Sequence, residues 1–321
     1  MDGSVAHFNL LERMGESALG ETFRARDTKF GRTVALKCVS AAKIDPANVD
    51  AFLADARAAA GLSHPNIATL FDVGPYDDGW YLAYEYASGV LLRQEMAGRA
   101  LSPRRAVEIA VQIADALSEA HAQGVLHTDL RPDTIFLTQK GSAKVLETGM
   151  ARWTRGGAVR ATAARSADSL DAHALSIVSY MSPEQSLGDG CDARSDIFSL
   201  GVILHEMLTG RAPFKAASPA DTILQIARSP LPAPSGINPD VPPELDAIVA
   251  RATAKGIDGR QQSAASLSAE LRSVGAVLDV RSGDGDPREL LPLDDEGGSG
   301  KWWAAAAVVA LVALAVWWRM R

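Results

Sequence analysis

Over about the first 90 residues, short β-branched and aromatic runs alternate with turn signals, and one helical stretch interrupts them. That pattern predicts a small β-rich lobe. The period changes at Ser102-Pro103, an N-cap and first-turn pair, after which Val107, Ala110, Ile113, Ala114 and Leu117 recur on one helical face before Gly124. Further helices are predicted after Ser195, after Ser218-Pro219, around 245–252 and from 263 to about 277. No internal repeat is visible. The stretch 279–300 is rich in Gly, Asp and Pro, lacks apolar periodicity and reads as a disordered tether. Residues 302–318 are then uninterruptedly apolar between Lys301 and Arg319, with paired tryptophans at both ends. As a helix this run reaches about 26 Å, near the short end for crossing a bilayer, and the tryptophans suit its two interfaces. The patterns divide the chain into a β-rich lobe (1–87), a helical lobe (88–278), an acidic linker (279–300) and a transmembrane helix with a short tail (301–321).

Composition narrows the functional classes. A chain of 321 residues, 47% hydrophobic and 22% charged, has enough apolar material for one or two cores, which excludes disorder throughout. Its formal charge of −7 disfavours a nucleic-acid binder, which needs a basic face. Two cysteines, Cys38 and Cys191, are too few for a disulfide framework or a thiolate metal site. The N-terminus carries no apolar stretch resembling a signal peptide, so the globular part is expected in the cytoplasm and the protein in the inner or plasma membrane by a single pass. In the tether, seven carboxylates against Arg281 and Arg288 would hold the domain away from anionic lipid. Ala306 and Ala310 have the small-residue spacing of helix pairs, which leaves a homodimer open.

Candidate chemistry begins at Gly15-Glu16-Ser17-Ala18-Leu19-Gly20, a glycine-bounded hairpin whose backbone N–H groups could approach a polyphosphate. Alone it signals only a tight turn. Val34-Ala35-Leu36-Lys37 places a cation in an apolar strand, where it needs a carboxylate or phosphate; Asp55, on a helix predicted over 52–60, is the expected partner. Downstream, His127-Thr128-Asp129-Leu130-Arg131-Pro132-Asp133-Thr134 precedes the apolar strand Ile135-Phe136-Leu137. With His64-Pro65-Asn66-Ile67, Tyr180-Met181-Ser182-Pro183-Glu184-Gln185, Ser195-Asp196-Ile197-Phe198-Ser199-Leu200-Gly201 and Arg260 following in order, the chain over roughly residues 6–278 resembles bacterial receptor-type serine/threonine protein kinases.

The resemblance implies an α+β, bilobal protein-kinase-like fold and an ATP cleft. Gly15, Ser17 and Gly20 would cover the phosphates, and Lys37, braced by Asp55, would hold two of them. Adenine would lie between Ala35 and Phe136, its edge on the Glu85 carbonyl and Ala87 N–H, with Tyr84 as gatekeeper. Asp129 would accept the substrate hydroxyl proton, Arg131 would stand where a lysine touches the γ-phosphate, and Asp196 would brace the catalytic loop.

The metal positions depart from the family pattern. Glu147-Thr148-Gly149 replaces Asp-Phe-Gly, and Thr134 replaces the asparagine that holds a second cation. Magnesium demands ligands at about 2.0 to 2.1 Å in near-octahedral array, so an added methylene displaces the carboxylate; manganese is less demanding. Thr22, Thr128 and Ser176-Ile177-Val178 also depart from the pattern, while Arg152, Arg155, Arg160 and Arg165 lie in a polar stretch read as a solvated loop. Three readings follow: a pseudokinase signalling through nucleotide or through cytoplasmic or membrane signalling proteins, an active serine/threonine kinase using ATP with magnesium or manganese, and a membrane-tethered scaffold that binds no nucleotide.

Overall fold

Alternation along the central strands decides which residues face the site. The computed structural model describes residues 3–16, 20–77, 79–150, 153, 176–216 and 218–282. In the N-terminal lobe, β1 (Ser4–Val5), β2 (Phe8–Glu16), β3 (Gly20–Asp27), β4 (Arg32–Ser40), β5 (Leu70–Tyr76) and β6 (Gly79–Glu85) form an antiparallel sheet ordered β1-β2-β3-β4-β6-β5. Val34 and Leu36 of β4 point to one face and pack with Phe8, Ala25 and Ala83. The other face carries Ala35, Lys37 and Val39 toward helix α1 (Val49–Ala60), whose Phe52, Ala56 and Ala59 complete a second cluster with Leu82 and Tyr84. Each fully buried large apolar side chain there contributes about 1.5–3 kcal/mol. Lys37 is thus carried into the interior by period 2 alone, and it is 3% exposed.

The second lobe opens with β7 (Gly89–Leu91), which joins β8 (Ile135–Thr138) and β9 (Ala143–Val145) in a three-stranded sheet. Helices α2 (Leu92–Met96), α3 (Pro103–Ala122), α4 (Pro183–Leu187), α5 (Ala193–Thr209), α6 (Pro219–Arg228), α7 (Pro243–Ala252) and α8 (Ala264–Ser282) follow. All five residues predicted to form the inner face of α3 are buried, and the Ser102 hydroxyl accepts from Arg105 N at 3.3 Å as its cap. α5 is the central pillar, buried from Ser195 to its last residue. It crosses close to α7 because Gly201 carries no side chain: a Cβ there would lie 2.8 Å from both Ala252 Cβ and Thr253 Cγ2.

The chain divides into two compact units, 1–271 and 272–321. α8 continues to Ser282, four residues into the stretch read as linker. Among the described residues no helix is long and apolar enough to cross a membrane; the rest of the linker and the predicted transmembrane helix (301–321) lie outside the described residues.

Candidate active site

The cleft begins where β2 and β3 overhang β4. A cavity of about 260 Å³ is lined by Gly15, Ala35, Lys37, Glu85, Ala87, Phe136 and Glu147, which brings most of the sequence-predicted positions to one place. Sequence reasoning missed Met14, Ala68, Leu91 and Leu146, apolar lining residues from separate segments with no motif to mark them, and Lys144, whose ammonium pairs with Glu85 at 2.9 Å. Thr22 lines the cavity as well. Tyr84 closes its inner wall, its phenol pushed well above the ordinary value by burial and by the Glu147 charge. Gly20 does not line the cavity but is needed beside it, because a Cβ there would meet the Cys38 carbonyl oxygen at 1.8 Å. Ser17 falls outside the described residues.

The carboxylate set against the Lys37 ammonium is that of Glu147, where Asp55 was the expected partner. Burial opposes ionisation of Glu147, but Lys37, with Arg131 and His127, outweighs it and holds the carboxyl below its ordinary value. Asp55 accepts a hydrogen bond from Trp153 Nε1 at 2.8 Å, and the Trp153 ring meets Phe52 edge-on with 5.4 Å between centroids. Glu147 adopts φ +58, a left-handed conformation costing about 1–3 kcal/mol in a non-glycine residue.

The catalytic loop is held from below by α5. Asp196, fully buried at its start, accepts from His127 N at 2.9 Å and Thr128 N at 2.7 Å, and its Oδ2 lies 2.8 Å from His121 Nε2. Burial works against its charge, but His121, His127 and the backbone donors keep its carboxyl below the usual value. His127 Nδ1 accepts from Asp129 N at 3.2 Å, which leaves the ring proton on Nε2, 3.0 Å from the Leu146 carbonyl. The imidazole therefore ties the backbone of Asp129 to the residue preceding Glu147. The Asp129 side chain is buried with Arg131 Nε 3.4 Å away, and Arg131 also reaches Asp133 at 3.2 Å.

Thr134 spends its hydroxyl inside the loop. It accepts from Arg131 N at 3.1 Å and donates toward the carbonyls of Arg131 (3.0 Å) and Asp129 (3.1 Å). With Glu147 on Lys37 and Thr134 on its own backbone, the two positions that resemblance assigns to metal are both engaged with protein partners. Among the described residues no cluster of three or more His, Cys, Asp or Glu side chains could hold a metal ion.

The protein kinase domain family matches residues 8–258. The chain is 37% identical over 272 residues to the serine/threonine-protein kinase PknB of Mycolicibacterium smegmatis, covering 82% of this chain and 42% of that protein. It is 36% identical over 266 residues to a probable serine/threonine-protein kinase of Streptomyces coelicolor, covering 81% and 38%. PrkC of Bacillus subtilis, also a serine/threonine-protein kinase, is 32% identical over 271 residues, covering 83% and 40%. This chain thus matches about two fifths of the length of these relatives. The crystal structure of the Mycobacterium tuberculosis PknI kinase domain shares the fold, with a TM-score of 0.66 at 24% identity over 88% of this chain and 98% of that domain. The fold, the ordered motifs and these similarities agree: the chain belongs to the bacterial serine/threonine protein kinase family.

Proposed function

We propose that the protein is a membrane-anchored member of this family that binds an adenine ligand in its cleft and signals mainly through partner proteins, with phosphoryl transfer strongly attenuated. The observation that carries the proposal is the placement of Glu147 on Lys37. The side chain that resemblance assigns to the metal neutralises the cation it assigns to the phosphates, and Thr134 offers no compensating ligand. Positioning and charge stabilisation supply nearly all of the catalysis of phosphoryl transfer, so loss of both ligands removes its main support.

A second reading is an active kinase that moves the ATP γ-phosphate to protein serine or threonine. The relatives' own activities favour it, as do Lys37 and Asp129, which are retained with their backbone supports in place. In this reading Asp129 takes the hydroxyl proton and Arg131 steadies the charge leaving the nucleotide.

Transfer from γ-labelled ATP to a generic basic protein separates the two, with magnesium and manganese assayed separately and Asp129→Asn as control. Incorporation indistinguishable from the control with both metals is expected. Incorporation that the control abolishes would establish the active kinase. If neither ATP nor adenosine raised the melting temperature, a scaffold without nucleotide would remain.

A further inference from the structure

Both ammonium groups around the cavity are already paired before any ligand arrives. Its lining includes three carboxylates, Glu16, Glu85 and Glu147, against two ammonium groups, Lys37 and Lys144. Lys37 lies on Glu147, and Lys144 on Glu85 at 2.9 Å. Glu16 is met by Arg13 at 3.0 Å, but Arg13 also serves Glu21 at 2.7 Å on the exposed surface. Arg131, outside the lining, has its guanidinium between Asp129 at 3.4 Å and Asp133 at 3.2 Å. A triphosphate would therefore enter a site whose lining is net negative, and it would have to displace a carboxylate from Lys37 without a cation to bridge the two anions. Like charges brought within a few ångströms in a partly buried cleft repel far more strongly than in water.

A neutral ring meets no such obstacle. Ala35, Ala68, Leu91, Phe136 and Leu146 give the cavity apolar walls, and its volume of about 260 Å³ is slightly below the roughly 300–1,000 Å³ of ordinary ligand pockets. Glu85 and Ala87, whose backbone groups the resemblance assigns to the adenine edge, line it too.

We propose that Glu147 makes this cleft selective for an uncharged purine nucleoside over nucleoside phosphates when no divalent cation is present. The inference rests on the adenine-binding reading above and adds the ligand class and the residue that sets it. Glu147 acts as a built-in competitor for the phosphate position: its carboxylate occupies on Lys37 the place a phosphate oxygen would take.

The test is calorimetric titration of the full-length chain in detergent micelles, with EDTA, using adenosine, AMP and ATP. The wild-type protein should bind adenosine at least tenfold more tightly than ATP, with AMP between them. Glu147→Gln should shift the adenosine-to-ATP affinity ratio toward ATP by about tenfold, equivalent to about 1.4 kcal/mol. ATP binding as tightly as adenosine to the wild type, or a ratio unmoved in the variant, would overturn the proposal. If the variant fails to fold, the wild-type order of the three ligands decides alone. Should none of the three bind, the adenine reading falls with the selectivity; adenosine bound without discrimination removes the selectivity only.

Discussion

Arg260 places both terminal guanidinium nitrogens on Glu184, at 2.8 and 2.9 Å, in a buried bidentate pair that Ser195 Oγ joins at 2.6 Å. Breaking such a pair by removing one partner leaves a stranded charge. Arg260→Ala should therefore cost about 3–5 kcal/mol, read by urea denaturation. Burial alone would raise the Glu184 pKa, but Arg260, Ser195 and Ser182 bring it down from 4.5 to about 2. Because the folded-state value is depressed, the stabilisation is complete above the unfolded value and is lost as pH falls from about 4.5 toward 2. Acid denaturation of Glu184→Gln should accordingly be shallower than that of the wild type over that window. At the cleft, the double variant Glu147→Asp, Thr134→Asn restores both ligand types. Phosphate incorporation should appear in it with magnesium and be lost again on adding Asp129→Asn; a silent double variant would locate the defect elsewhere. That Lys37 needs a carboxylate was legible from an apolar strand carrying a cation. Which carboxylate was not, because Asp55 and Glu147 come from distant segments and only the backbone of the catalytic region decides which one arrives.

Among the elements, α3 was readable because its apolar face repeats from Val107 to Leu117, about three turns, and β4 because alternation separates Leu36 from Lys37. Of the β7-β8-β9 sheet only β8 was readable, as the apolar strand Ile135-Phe136-Leu137; β7 and β9 have three residues each, and β7 pairs with β8 across a long sequence separation, which leaves almost no periodic signal. The end of α8 was also missed: Gly275 weakens helix propensity by about 1 kcal/mol relative to alanine, and Asp279 breaks the apolar pattern, yet the helix continues to Ser282. The α5–α7 crossing depends on Gly201, so Gly201→Ala must push Ala252 and Thr253 aside and should cost about 1–3 kcal/mol by thermal melting. Trp153 packs on α1 of the N-terminal lobe, donating a hydrogen bond to Asp55 and meeting the Phe52 ring edge-on. Trp153→Phe keeps a ring and loses the bond, so amide exchange in α1 should quicken by an amount corresponding to about 1 kcal/mol.

For the whole molecule, the bilobal kinase fold was legible from ordered motifs spread over most of the chain, whereas the charge state of the cleft depends on pairs that no motif records. The apolar run at 302–318 should keep the full chain in the membrane fraction through high salt and alkali, and removing residues 301–321 should release it. The two backbone amides flanking the catalytic loop's start are gripped by Asp196, which belongs to the most deeply buried of the described helices. The position of Asp129 is therefore inherited from the core and not negotiated by the cleft. Substitutions at the phosphate end can accumulate, or be reversed, without disturbing the frame that aims the aspartate. On the reading proposed above, chemistry in such a protein is set by a few cleft-facing atoms mounted on a frame that the core holds.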